Sequence, residues 1–272
     1  MNSIDSARNR DDLINEILLT LNESPETVAL LVEGSDDVEF FEKVFDGFEH
    51  VAYFESLSGC TGLYDLLQEL PSPRIVAVRD RDYDTNPYPY RMFAYDDCAL
   101  ELMILHHPYV QKRLSRYYPR KAENFPLDLM KGIAEFSLLR QRNARNGWGI
   151  AFDDMGGVLA GHEKKKPLPP DMKALFREYE KEYPEKMNGL YEILNADAQS
   201  LTPEQLWEIT NGHDICKLLG ILSTLDKGAL GERAYFHLMI EIYQFQHFEG
   251  TYLYRKLSEY RLSDGRRPFA AS

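Results

Sequence analysis

Two short apolar runs that each end in acid most constrain what this chain can fold into. Val28-Ala29-Leu30-Leu31-Val32 runs into Glu33-Gly34-Ser35-Asp36-Asp37, and Ile75-Val76-Ala77-Val78 runs through Arg79 into Asp80-Arg81-Asp82. Uninterrupted apolar runs of this length suit strands buried on both faces, as in a parallel sheet. Ligands of such sheets gather at the carboxyl ends of the strands, where these acids fall. Alternate residues at a strand end project to the same side, so Asp80 and Asp82 converge, and pairing of the two strands brings Glu33 beside them. Clustered carboxylates repel, and a hard divalent cation with oxygen ligands, Mg²⁺ or Mn²⁺, is the usual way to hold them together.

The rest of the pattern agrees with an α/β sheet. Apolar positions at helical spacing over residues 10–22 predict an amphipathic helix ahead of the first strand. Helices are expected at Asp36–Phe45 and Thr61–Leu70, and strands at His50–Phe54, Arg74–Arg79 and Tyr90–Tyr95. Strands alternating with helices imply a mainly parallel sheet flanked by helices. Beyond residue 105 the pattern turns helical: Pro108–Tyr118, Leu127–Arg142, Asp171–Glu182, Pro203–Ile209, Asp214–Leu225 and a long run from Leu230 to Tyr260. Gly147–Phe152 reads as a short strand or turn, and Lys164–Pro170, with three prolines, as a loop. The expected organisation is an N-terminal helix (1–24), an α/β core (25–107) and a helical region packed on it (108–272).

The 272 residues carry a net charge of −13, unevenly spread. Residues 1–110 hold 22 acidic and 7 basic side chains, while residues 111–272 hold 22 acidic and 24 basic. An acidic half with a metal-seeking cluster, followed by a half that concentrates its cations, suits phosphodiester chemistry. The other reading of the charge is an ordinary acidic protein with solvated faces. Cys60, Cys98 and Cys216 are too widely spaced for a zinc site and favour reduced thiols in a cytoplasmic setting. No stretch approaches the roughly 20 apolar residues that span a bilayer, and the first ten residues do not read as a signal peptide. No phosphate-binding Gly-x-x-x-x-Gly-Lys-Ser/Thr loop is present.

Other residues stand out singly. Glu101 sits inside the apolar run Cys98–Leu105, where a carboxylate needs a metal or a cation beside it or an exposed helix face. His213-Asp214 follows Asn211-Gly212 and opens a helix, so Asp214 is placed to cap it and His213 to approach a phosphate. Residues 112–121 contain five basic side chains and no acid, with Arg113, Arg116 and Arg120 suited to phosphates and the interleaved tyrosines to stacking. Arg140, Arg142 and Arg145 form a second basic group, and Lys164–Lys166 a third; solvated faces are the competing account. His106-His107 reads as a surface turn.

Glu33-Gly34 with Asp37, followed by Asp80-x-Asp82 after an apolar strand, resembles the TOPRIM domain of topoisomerases, bacterial primases and overcoming-lysogenization-defect nucleases. Ala99-Leu100-Glu101 and Asn211-Gly212-His213-Asp214 extend the resemblance to a stand-alone TOPRIM-like family that includes the effector nuclease of PARIS-type ATPase–TOPRIM anti-phage systems. The family usually has a polar residue after that glutamate, where this chain has Leu102. The resemblance implies a TOPRIM-like core with a mostly helical C-terminal elaboration and a Mg²⁺- or Mn²⁺-dependent endonuclease. Glu33, Asp80, Asp82 and Glu101 would be catalytic, Glu33, Asp37, Asp80 and Asp82 the metal ligands, and Arg113, Arg116, Arg120 and His213 the substrate contacts. Asp84 is a weaker candidate. It further implies an RNA substrate, with tRNA a candidate, a toxic role in antiviral defence, homodimerisation and control by an ATPase partner. The aromatic-rich stretch Tyr235–Tyr260 suits an interface or ordinary packing. The alternative from another class is a catalytically silent adaptor that binds an ATPase or nucleic acid.

Overall fold

The computed structural model describes residues 9–83, 88–117, 124–152, 172–222 and 232–271. The chain divides into two compact units: Met1–Asp80 with Asn86–Asp96 and Gln244–Ser272, and Arg81–Thr85 with Asp97–Tyr243.

The first unit is built on four parallel strands in the order β2-β1-β3-β4: β1 (Val28–Val32), β2 (Val51–Glu55), β3 (Ile75–Arg79) and β4 (Met92–Ala94). Leu30 lies opposite Tyr53 on one side and Val76 on the other, and Ala77 opposite Met92. β1 and β3 are buried along their whole length, as their unbroken apolar runs predict. Their odd-numbered residues, Ala29, Leu31, Ile75 and Ala77, pack on Leu13, Ile17 and Leu21 of α1 (Arg10–Glu23) and on Leu63, Leu66 and Leu67 of α3 (Gly59–Glu69). Between them in sequence, α2 (Ser35–Val44) contacts β1 and β2, and its Phe40 and Phe41 meet Tyr95 and Phe248 in an aromatic cluster. Such ring pairs contribute about 0.5–1.5 kcal/mol each beyond their burial.

Two arginines fasten the segments that lead into these strands. Nη1 of Arg74 donates to the carbonyls of Leu21, Ser24, Pro25 and Thr27, tying the end of α1 to the start of β1. Arg91 donates to Leu67, Leu70, Ser72 and Ile75, satisfying carbonyls at the end of α3.

Among its described residues the second unit is helical: α4 (Leu100–His106), α5 (Pro108–Leu114), α6 (Leu127–Gly132), α7 (Ala134–Asn146), α8 (Met172–Glu182), α9 (Pro184–Met187), α10 (Leu190–Gln199), α11 (Pro203–Ile209), α12 (Gly212–Leu222) and α13 (Glu232–Ile242). Leu100 to Leu105 of α4 are all buried, as expected of a helix that is apolar all round, and α12 and α13 pack on it and on each other. The chain then returns to the first unit as α14 (Phe245–Glu249) and α15 (Tyr252–Glu259).

Several sequence expectations shift. The helix expected over Leu127–Arg142 is two, broken at Ile133, and α7 runs on to Asn146. The run from Leu230 to Tyr260 contains three helices, because Gln244 and Thr251 supply new N-caps within it. Gly147–Phe152 holds no strand; Gly147, at φ 59°, is the left-handed residue that ends α7. By contact, the stretch from residue 108 divides between the two units, and α1 packs on the sheet. Lys164–Pro170 lies outside the described residues.

Candidate functional site

The acidic elements at the ends of β1 and β3 meet, as adjacent parallel strands require. The Asp80 amide donates to Glu33 Oε1 at 3.0 Å. One turn into α2, Asp37 turns back: its Oδ2 accepts the Gly34 amide at 3.0 Å and its Oδ1 the Tyr95 hydroxyl at 2.5 Å. Asp37 thereby caps α2. Burial pushes the Asp37 carboxyl up to about 6, against the lowering effect of its hydrogen bonds to Tyr95 and Gly34. Tyr95 is fully buried and its phenol is held well above the ordinary value, first by burial, then by Asp37, Asp80 and Glu33. Three carboxylates therefore act on one phenol. Of the three, Asp37 alone hydrogen-bonds the phenol, and Glu33 and Asp80 act on it through their charge.

Sequence reasoning passed over Arg79, whose side chain is only 5% exposed beside this cluster. Its Nε donates to the Asp80 carbonyl at 2.7 Å and lies 3.8 Å from Glu33 Oε1. Its guanidinium rests over the rings of Tyr64 and Tyr88. A polar residue closing an apolar strand was the available signal. Gly59, at φ 53°, opens α3 beside Glu33: a Cβ there would stand 3.7 Å from Glu33 Oε2.

Asp82 belongs to the second unit. Its amide donates to the Cys98 carbonyl at 2.8 Å, and its φ of 48° is an uncommon left-handed conformation for a non-glycine residue. Next to it, the Tyr83 hydroxyl donates to the Ile209 carbonyl at 3.2 Å.

Glu101 and the Asn211–Asp214 segment form a clasp within that unit. Glu101 has the nitrogenous neighbour its apolar run calls for: His213 Nδ1 lies 3.4 Å from its Oε1. Gly212 is required for this approach, since a Cβ would fall 2.2 Å from Glu101 Oε2. Asp214 does not cap α12; Asn211 Oδ1 takes that role by accepting the Asp214 amide at 3.1 Å. Asp214, 1% exposed, instead receives Nε and Nη2 of Arg140 at 2.6 and 2.9 Å. Arg140 lies over Phe136 and Phe152, and Arg142 pairs with Asp197 at 3.0 Å, so the second basic group leaves Arg145 as its exposed member. Arg113 and Arg116 are exposed, whereas Arg120, Asp84 and Lys164–Lys166 lie outside the described residues. His106 is no simple surface turn: Asp97 holds its Nδ1 at 3.0 Å and Trp207 stacks on its ring at 4.1 Å.

A separate cavity of about 730 Å³ opens before β1 and β2, at the opposite ends of the strands from Glu33 and Asp80. Glu26, Asp46, Phe48, Phe245 and Arg267 are among its lining residues, a mixture of charges with no single complement. Compared with known proteins, the chain matches no protein-family model and no curated protein.

Proposed function

We propose that the chain is a divalent-metal-dependent phosphodiesterase of TOPRIM type, cutting RNA. The observation that carries this reading is the meeting of Glu33 and Asp80 at the carboxyl ends of two adjacent parallel strands, with Asp37 on the buried Tyr95 in the same unit. The all-oxygen donor set and the raised Asp37 carboxyl fit a hard divalent ion, because a nearby cation favours the ionised form that burial opposes. Glu33, Asp37 and Asp80 would hold Mg²⁺ or Mn²⁺, which when bound supplies a polarised phosphate and a water of lowered pKa. Glu33 orients on the Asp80 amide, Arg113 and Arg116 present exposed guanidiniums to phosphates, and His213 presents its imidazole beside Glu101.

A tRNA substrate, a toxic role in antiviral defence, a homodimer and an ATPase regulator follow from the family resemblance, and a cytoplasmic setting from the three widely spaced cysteines. No helix among the described residues is long and apolar enough to cross a membrane. The competing reading is a catalytically silent adaptor. It is favoured by Arg79, which already sets a positive charge beside Glu33.

Incubating the purified chain with Mg²⁺ or Mn²⁺ and tRNA, single-stranded DNA or plasmid separates the two. Cleavage that Glu33→Gln and Asp80→Asn abolish without changing the melting profile is the expected result. Absence of cleavage with every substrate, alone and with a co-purified ATPase, favours the adaptor.

A further inference from the structure

We propose that Arg79 is a built-in cation of the carboxylate cluster, a positioning residue that holds Glu33 on the Asp80 amide and competes with a divalent ion for it. The inference rests on the metal-site reading above and deepens it.

The argument starts from cost. A guanidinium buried to 5% exposure forfeits most of its hydration and persists only if polar partners replace it. Arg79 finds them at the Asp80 carbonyl, at the Tyr64 hydroxyl 3.5 Å from Nη1, and at Glu33. Stapling the backbone alone does not explain this arrangement. Arg74 and Arg91, on the same sheet, do that work by donating to carbonyls, four each, with no carboxylate among those acceptors. Arg79 spends its Nε on the carbonyl of Asp80 and turns the same edge toward Glu33, while the Asp80 amide donates to that same Glu33 oxygen. Glu33 Oε1 thus accepts the Asp80 amide at 3.0 Å and lies 3.8 Å from the Arg79 Nε, both at the end of β3. The rings of Tyr64 and Tyr88, 5.8 and 5.4 Å away, keep the guanidinium from swinging out.

A fixed positive charge here does two things. It neutralises part of the cluster before any ion arrives, so the three carboxylates tolerate one another. It also taxes ion binding, because the ion meets a like charge and must draw Glu33 from an occupied position. Asp80 carries the larger share of the ion's affinity, and Glu33 stays oriented for the reacting groups.

Calorimetric titration of the full chain with MnCl₂ tests this, using wild type, Arg79→Lys, Arg79→Met, Glu33→Gln and Asp80→Asn. Arg79→Met should bind Mn²⁺ about tenfold more tightly than wild type, and Arg79→Lys, which keeps the charge, within about threefold of it. Unchanged or weaker binding by an Arg79→Met chain with wild-type circular dichroism overturns the proposal. If Arg79→Met does not fold, the isosteric carboxamides decide. Glu33→Gln should weaken Mn²⁺ by less than about threefold and Asp80→Asn by about tenfold or more, and equal losses overturn the proposal. Loss of cleavage in Glu33→Gln with Mn²⁺ affinity retained is the split a merely structural role would not produce. Failure of wild type to bind Mn²⁺ at all is a different result: it removes the metal site itself and this inference with it.

Discussion

The two units treat their acids differently. In the second, Asp214 faces Arg140, Glu101 faces His213 and Asp97 faces His106, one nitrogenous partner for each acid. In the first, Asp37 accepts the Tyr95 hydroxyl, the charges of Glu33 and Asp80 bear on the same phenol, and Arg79 lies 3.8 Å from Glu33. The second pattern pairs charges one to one, whereas in the first several acidic groups bear on one phenol and one guanidinium. Paired acids and clustered acids thus differ in their local charge balance more than in the kinds of residue involved.

The sharpest way to break the comparison is to open the most buried pair. Arg140→Ala leaves Asp214, 1% exposed, without its bidentate partner and should destabilise the chain by about 3–5 kcal/mol in urea unfolding. A cost below about 1 kcal/mol would mean that Asp214 is not held by this pair and that the contrast fails.

The pH dependence sharpens the other side. The Asp37 carboxyl keeps its proton in the folded chain up to about 6, while the unfolded chain releases it near 3.8. Between those values the folded state binds more protons, so this group makes stability fall as pH rises from about 4 to 6, by about 3 kcal/mol at most. Asp37→Asn should flatten that part of the stability profile measured without divalent ions. A slope that persists in the variant would assign it to another group.

Smaller again is the steric prediction for the clasp. Gly212→Ala forces a methyl into the Glu101 carboxylate and should cost about 1–3 kcal/mol, less in a Glu101→Ala background where the clash is gone. Identical costs in both backgrounds would show that Gly212 and Glu101 do not press on one another.

The smallest effect expected concerns the chain's return to the first unit. Asp96 accepts the Tyr252 and Leu253 amides at 2.6 and 2.7 Å, a helix cap supplied from 156 residues away. Asp96→Ala should cost about 1 kcal/mol, read as a shift in melting temperature. No shift would leave Thr251 as the sufficient cap of α15.

What the sequence determined by itself was local and periodic. Strands β1 and β3 could be read because burial on both faces demands an unbroken apolar run, and the meeting of Glu33 with Asp80 because adjacent parallel strands end side by side. The stripe of α1 and the apolar surround of Glu101 were legible for the same reason. Tertiary structure decided the rest. Arg140 reads as one of three nearby arginines until Asp214, 74 residues on, claims it. Arg79 reads as the tail of a strand until Glu33 lies across from it, and the run from Leu230 to Tyr260 reads as one helix until its halves join different units. A hydrogen bond or ion pair between distant segments leaves no period in the chain, because it depends on which segments the folded core brings within about 3 Å of each other.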